Sequence, residues 1–305
     1  MSKIKNSAAL LCFLLSSSAV SQGAFNNEQA AGEGWSAEQG RDARWYLSQH
    51  KKLAAAIAAV APQRPGIVDA FVVSISLDSD PVFTREATEA GKVLTRRYGA
   101  AGHSITLTTG DKSAFPQGSP PHLSAVLGAV AARMNLKEDV LILYTTSHGD
   151  ATIGLAYRDG TNGFGMVAPK RLAALLDGLA IERRIILISA CYSGVFVPKI
   201  ASDHSIIITA AAADRTSFGC APGNDWTFFG DALINHALRK PQSLDKAAAQ
   251  AITLINQWEI DKGLMASLPQ VSVGAKTASW LTPLEQQMPT AVTPRVGRPA
   301  VDDVQ

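Results

Sequence analysis

The sequence predicts an α/β fold, a mostly parallel central sheet flanked on both faces by helices. Three observations predict it. Apolar runs of strand length recur through the middle of the chain, and amphipathic stretches of about 10 to 15 residues separate them. The runs are apolar throughout rather than alternating, as strands buried on both faces are. With 305 residues, 47% hydrophobic and 18% charged, the chain can bury one large core or two small ones.

Residues 1–23 carry Lys3 and Lys5, an apolar stretch from Ala8 to Val20, and small residues at Ser21 and Gly23, followed by Ala24. That pattern reads as a secretory signal peptide. The apolar stretch is about 13 residues, short of the roughly 20 that span a bilayer, so cleavage is expected rather than a retained anchor. The mature protein is then exported, periplasmic or secreted, without a stable membrane span. Leu11 before Cys12 is larger than a lipobox allows, which disfavours lipidation.

Residues 24–66 read as an N-terminal helical extension, with Trp45, Leu47, Leu53, Ile57 and Val60 on one helical face and Pro62 and Pro65 ending it. The domain proper spans 67–284. It opens with a strand at 67–77, a helix near 85–98, a strand at 104–109 and a helix near 124–134. A strand ending at His148, a helix near 169–179, a strand ending at Cys191 and a strand at 205–210 follow. Helical patterns at 228–238 and 244–258 precede a last short strand at 269–273. Around Asp159-Gly160-Thr161-Asn162-Gly163, segments 152–157 and 164–168 predict a β-hairpin. Gly160, Gly163 and Gly165 do not join a strand to a helix in phosphate-loop spacing, so turn chemistry is the better reading. Past Leu284, polar composition with Pro289, Pro294 and Pro299 predicts a disordered tail over 285–305. No internal repeat is visible.

A net charge of +2, evenly spread, gives no nucleic-acid footprint. The chemistry concentrates at two strand ends. Ligands of an open α/β sheet bind outside the carboxyl ends of its strands, and both His148 and Cys191 belong to that edge. A cysteine attacks as its thiolate, which a neighbouring imidazole and the start of a short helix at 195–202 would favour. Backbone N–H groups of Gly149 and Cys191 are candidates for an oxyanion site. A lone buried cysteine is more often a small hydrophobe, and a lone histidine after a strand a loop hydrogen-bonder. The two placed alike, each followed by glycine within three residues, favour one site for acyl transfer. His50, His103, His122, His204 and His236 lack this setting.

Rival chemistries fit less well. Cys191 and Cys220 are widely spaced without a partnering C-x-x-C or H-x-x-x-H, so no metal site is expected. A hydrolase elbow needs glycines two residues either side of the nucleophile, where Ser189 and Ser193 stand. The same two cysteines could pair in an oxidising compartment, but a core of this size does not depend on a disulfide.

Thr146-Ser147-His148-Gly149 followed by Ser189-Ala190-Cys191-Tyr192-Ser193-Gly194 resembles the legumain-like cysteine peptidases of family C13, in the caspase-like clan. Ala212 to Cys220, with Trp226 to Asp231 after it, is similar to what bacterial members carry downstream of the nucleophile. The likeness covers roughly residues 65–275. It implies a caspase-like three-layer sandwich, His148 as general base and acid, Cys191 as nucleophile, and an oxyanion site from the Gly149 and Cys191 amides. It further implies a substrate pocket lined by Thr216 and Ser217, with Ser189 at a recognition position and Arg85 contributed by the loop 78–86. A solvated helix-start role is the alternative for Arg85. Plant and animal legumains carry acids two before and one after the nucleophile; here Ser189 and Tyr192 stand there, so asparaginyl specificity does not carry over. Ser147 likewise stands where those enzymes place an acid before the histidine. The expectation is an exported cysteine endopeptidase acting on peptide or protein substrates without metal or organic cofactor. A transpeptidase or transamidase on the same scaffold, and a non-enzymatic binding module, are the alternatives.

Overall fold

The structure, a computed structural model, describes residues 34–110 and 113–303. The expected signal peptide lies outside the described residues, as do the first residues of the extension. In chain order, β1 (Ser36–Glu38) precedes α1 (Ala43–Ala58), β2 (Ala70–Ser76), α2 (Pro81–Arg97), β3 (Ser104–Leu107), α3 (Pro120–Ala131) and β4 (Val140–Thr146). Three short strands follow, β5 (Gly149–Asp150), β6 (Gly154–Asp159) and β7 (Gly163–Val167), before α4 (Pro169–Gly178) and β8 (Arg184–Ser189). A 3₁₀ turn (Ser193–Phe196) runs into α5 (Val197–Ile200), then β9 (Ser205–Thr209), a π-helix (Gly230–Ala237) and α6 (Leu244–Asp261). β10 (Gln270–Val273), α7 (Ala278–Gln286) and a last 3₁₀ turn (Ala300–Asp303) complete the order.

Local chemistry sets the helix starts. The Asp42 carboxylate accepts from Trp45 N–H, and the Ser119 hydroxyl from His122 N–H. Proline occupies the first turn of α2, α3 and α4, where its missing N–H costs nothing.

The central sheet has the order β10-β9-β8-β4-β2-β3. Its five inner and far strands run parallel; β10 closes the near edge antiparallel to β9. Every residue of β2, β4, β8 and β9 is buried, as continuous apolar runs require. Their side chains alternate between two cores. Val72, Ile142, Leu187 and Ile208 face one with Ala90, Leu94, Leu233 and Trp280. Phe71, Leu143, Ile186 and Ile207 face the other with Val126, Leu127, Leu172 and Leu176. Helix, sheet and helix make three layers.

A second sheet, β1-β7-β6-β5, is antiparallel throughout. The expected hairpin is present as β6 and β7. The β1 pairing and the short β5 were not legible. Two backbone bonds join this sheet to the end of β2: Arg158 N–H donates to the Leu77 carbonyl and Ser79 N–H to the Arg158 carbonyl, each 2.9 Å.

Two expectations are corrected and one is refined. Leu47 points to solvent at 54% exposure; the packed face of α1 is formed by Gln49, Leu53 and Ile57, with Val60 just beyond. The helix expected at 228–238 is a π-helix, with Leu238 N–H donating to the Leu233 carbonyl. The tail, expected to be disordered, is held against the domain as far as Ala300, because its backbone meets buried polar groups. Trp226 Nε1 donates to the Val296 carbonyl (2.8 Å), Val296 N–H to Asn235 Oδ1 (3.0 Å), and Ala300 N–H to Asp231 Oδ2 (2.8 Å). Ala300 is fully buried. Among the described residues no helix is long and apolar enough to cross a membrane.

Deleting residues 289–305 strips the buried Asp231 carboxylate and the Trp226 indole of partners. An unsatisfied buried polar group costs about 1–3 kcal/mol, so the melting midpoint is expected to fall by roughly 5 °C or more, read by scanning calorimetry, with red-shifted tryptophan emission.

Candidate active site

Parallel strands in register deliver their following residues to one edge. Ser76 of β2 pairs with Thr146 of β4, and Thr146 with Ser189 of β8. Two residues beyond that line stand Asp78, His148 and Cys191. His148 and Cys191 line one small pocket, roughly 220 Å³ of empty space, together with Phe83, Ser189, Ser217, Cys220 and Thr227. Larger hollows exist, one of about 890 Å³ between Trp35 and Pro120, but His148 and Cys191 line none of them.

Tyr192 follows the nucleophile with φ 55° and ψ 15°, a left-handed conformation that bends the chain sharply away from the sheet. Its N–H donates to the Arg215 carbonyl (2.7 Å), and Gly194 N–H to the Ala211 carbonyl (2.9 Å). Gly194 must be glycine, since a Cβ there would stand 2.5 Å from the Ala213 nitrogen. These contacts bring the 211–217 segment over Cys191. Ser217 N–H donates to the sulfur at 3.2 Å, and the thiol donates to the Ser217 carbonyl at 3.5 Å.

Gly149 is held against the nucleophile even more closely; a Cβ would lie 2.0 Å from the Cys191 carbonyl oxygen. Ala156 N–H donates to the His148 carbonyl (3.0 Å), and Gly149 faces Leu155 one step on. Hydrogen-bonded and non-bonded pairs alternate in an antiparallel ladder, so the Gly149 N–H is directed away from β6.

Burial pushes the Cys191 thiol above its ordinary range, while the Ser217 N–H and its own amide pull the other way. This corrects the expectation of a helix-stabilised thiolate. After Cys191 the chain makes only a four-residue 3₁₀ turn and a four-residue helix, too short for a substantial dipole. Burial likewise pushes up Cys220. Both thiols are free.

The remaining expected residues divide. Ser217 and Ser189 line the pocket, and the Ser189 hydroxyl meets the Thr227 hydroxyl at 3.0 Å. Thr216 is exposed and outside the lining, because Ser217 makes the sulfur contacts. Arg85 is also outside it. Its guanidinium donates to the Pro222 (2.9 Å) and Asn224 carbonyls and pairs with Asp225 at 3.4 Å, tying down the loop behind the pocket.

Phe83, Cys220, Thr227 and Asp80 were not anticipated. Phe83 meets the His148 ring edge-on, 5.0 Å between centroids. Asp80 Oδ2 lies 3.4 Å from His148 Nε2. The sequence places Asp80 in a loop before a helix expected near 85; the helix instead starts at Pro81, and Asp80, at its N-cap, makes no capping bond. Asp78, Asp80 and His148 each place one ligand atom within 4.8 Å of the others, a set of cation-binding character. The Arg158 guanidinium already supplies positive charge there, bonding Asp78 at 2.9 and 3.1 Å and Asp80 at 2.6 Å.

A family model described as the peptidase C13 family matches residues 117–279, more than half of the chain and inclusive of both strand ends. The chain belongs to the peptidase C13 family. No curated protein matches it in sequence. Among solved structures it is similar to caspase-1 from Spodoptera frugiperda at 12% identity, covering 68% of this chain and 86% of that one, with a TM-score of 0.45. C13 membership makes this chain a cysteine-peptidase-like protein, and one pocket is lined by both Cys191 and the His148 imidazole. Asp80 lies outside the matched span.

The thiol's position predicts its reactivity. In a Cys220→Ser background, alkylation of Cys191 by iodoacetamide is expected to accelerate with pH through an inflection above the ordinary thiol range of about 8.5. A rate already at its plateau near pH 6 would mean a preformed thiolate instead.

Proposed function

We propose that the protein is an exported cysteine endopeptidase. The observation that carries this reading is the shared pocket of His148 and a free Cys191 thiol in a C13 chain. On binding a peptide, His148 takes the thiol proton and Cys191 Sγ attacks the scissile carbonyl carbon. The carbonyl oxygen gains negative charge and is met by the Gly149 and Cys191 amides. His148 then protonates the departing amine, leaving a thioester. Water, deprotonated by the same imidazole, releases the acyl product and restores the thiol.

A thiol that is neutral at rest makes the base essential. With the proton still on sulfur, attack has to be coupled to its removal, and the imidazole is the group in the pocket that can accept it. Aside from His148, the lining is uncharged, with the small hydroxyls of Ser189, Ser217 and Thr227 beside Cys191. Such a pocket favours a small, uncharged residue before the cleaved bond. An ionised or bulky side chain would be desolvated there without a partner. Export follows from the amino-terminal sequence pattern alone.

The test is cleavage profiling with a peptide library, repeated with a competing amine. Small uncharged residues are expected before the cut, with hydrolysed ends. Ligated product without hydrolysis would assign transpeptidation instead. His148→Ala is expected to lower kcat by about 10²- to 10⁴-fold, the span of proton-transfer contributions, and Cys191→Ala, which removes the nucleophile, to abolish turnover. Wild-type protein that cleaves nothing in the library, and whose Cys191 is not labelled by a peptidyl acyloxymethyl ketone, overturns the enzyme reading.

A further inference from the structure

We propose that Asp80 is a positioning residue for His148, held in place by Arg158 of the small sheet. The inference rests on the peptidase reading for its kinetic consequence, but its structural content stands apart from it.

The His148 ring is gripped on two sides. Phe83 meets it edge-on, and Asp80 Oδ2 faces Nε2 at 3.4 Å. That separation is long for a hydrogen bond, as catalytic contacts often are before substrate tightens them. A carboxylate accepts and does not donate, so the contact selects the tautomer with the proton on Nε2. Nδ1 is then left with its lone pair, the form in which an imidazole removes a thiol proton. An imidazole without such a partner would divide between tautomers and ring orientations, and only part of the population would be competent.

Asp80 would be a poor anchor on a free loop. It stands four residues past the end of β2 and immediately before Pro81, and it is tied down at each step. Its N–H donates to Asp78 Oδ1 (2.8 Å), and the Asp78 side chain is almost fully buried. Arg158 grips both carboxylates while its own backbone is stitched to Leu77 and Ser79. Gly160 N–H donates to Ser79 Oγ at 2.9 Å, adding a second tie from the β6–β7 turn. Asp78, Asp80 and Arg158 are the charged groups around the imidazole, and Cys191 and Cys220 are the titratable neighbours across the pocket. The acid that orients the base thus comes from the end of β2 rather than from the residue before the histidine, which is Ser147.

The step assigned to Asp80 involves no bond to substrate and no net proton transfer. It acts through His148, so its loss should lower kcat and leave KM nearly unchanged. Asp80→Ala is expected to reduce kcat about 10- to 100-fold, the usual cost of removing a partner that orients a reactive imidazole. Asp80→Asn retains an acceptor oxygen for Nε2–H and is expected to recover most of that loss. The second readout needs no activity. In protein labelled with ¹⁵N-histidine, with His148 assigned by its absence in His148→Gln, wild type should show Nε2 protonated, and Asp80→Ala should show a tautomer mixture. Circular dichroism of each variant reports folding. A His148 spectrum identical in wild type and Asp80→Ala, or a kcat within about twofold of wild type in folded Asp80→Ala, overturns the proposal. An inactive wild type would overturn the peptidase reading while the spectrum still decides the role of Asp80.

Discussion

Parallel strands paired in register advance together, so residues at equal distances beyond Ser76, Thr146 and Ser189 arrive at one edge of the sheet. The site depends on this levelling. Hydrogen bonds along β2, β4 and β8 pair the three ends residue for residue, and a slip of register would exchange the side chains between the two cores. A slip of one residue in β8 would turn Cys191 into the opposite core. The helical layers therefore contribute to function by keeping the strands where they are.

Close approach then does what register alone does not. Gly149 touches the Cys191 carbonyl, Gly194 touches the 212–213 backbone, and left-handed Tyr192 turns the chain between them. Behind these contacts sits a buried acid. Glu86 of α2 accepts from the Tyr144 hydroxyl of β4 (2.7 Å) and from Thr227 N–H (2.8 Å), and all three residues are buried. A Cβ at Gly230 would lie 2.1 Å from the Glu86 carboxylate, so the π-helix can seat only with glycine there. Thr227 in turn faces Ser189. One satisfied carboxylate joins the sheet, α2 and the segment that walls the pocket, which makes the wall as rigid as the core.

How much of this the sequence reveals depends on the range of the interactions involved. His148 and Cys191 are legible because each ends a continuous apolar run, a local signal, and the βαβ alternation then assigns both to one edge. Ser217 comes from the downstream segment that resembles other C13 chains. Asp80 is illegible because it sits in a loop without a motif of its own, and only the folded hairpin shows where its carboxylate is directed. The tail fails for a related reason. Its composition is that of a solvated segment, yet it is captured by the main-chain bonds of Val296 and Ala300 to Asn235, Trp226 and Asp231, dozens of residues away. Main-chain capture leaves no mark on side-chain pattern. Arg85 and Thr216 show the converse: an expected pocket residue can instead serve the loop behind it or face solvent.

The small sheet has a consequence for timing. The backbone of Arg158 joins it to the end of β2, and the same residue carries the guanidinium that steadies Asp80. Arg158 is the exposed position of a mostly buried strand, so its two main-chain bonds are a seam that can open more readily than the strands buried on both faces. Each opening would release the acid and let the imidazole turn, so the fraction of time this seam is shut sets an upper bound on the fraction of molecules ready to react. A docking equilibrium between β6 and the end of β2 thereby bears on how long His148 is held in place.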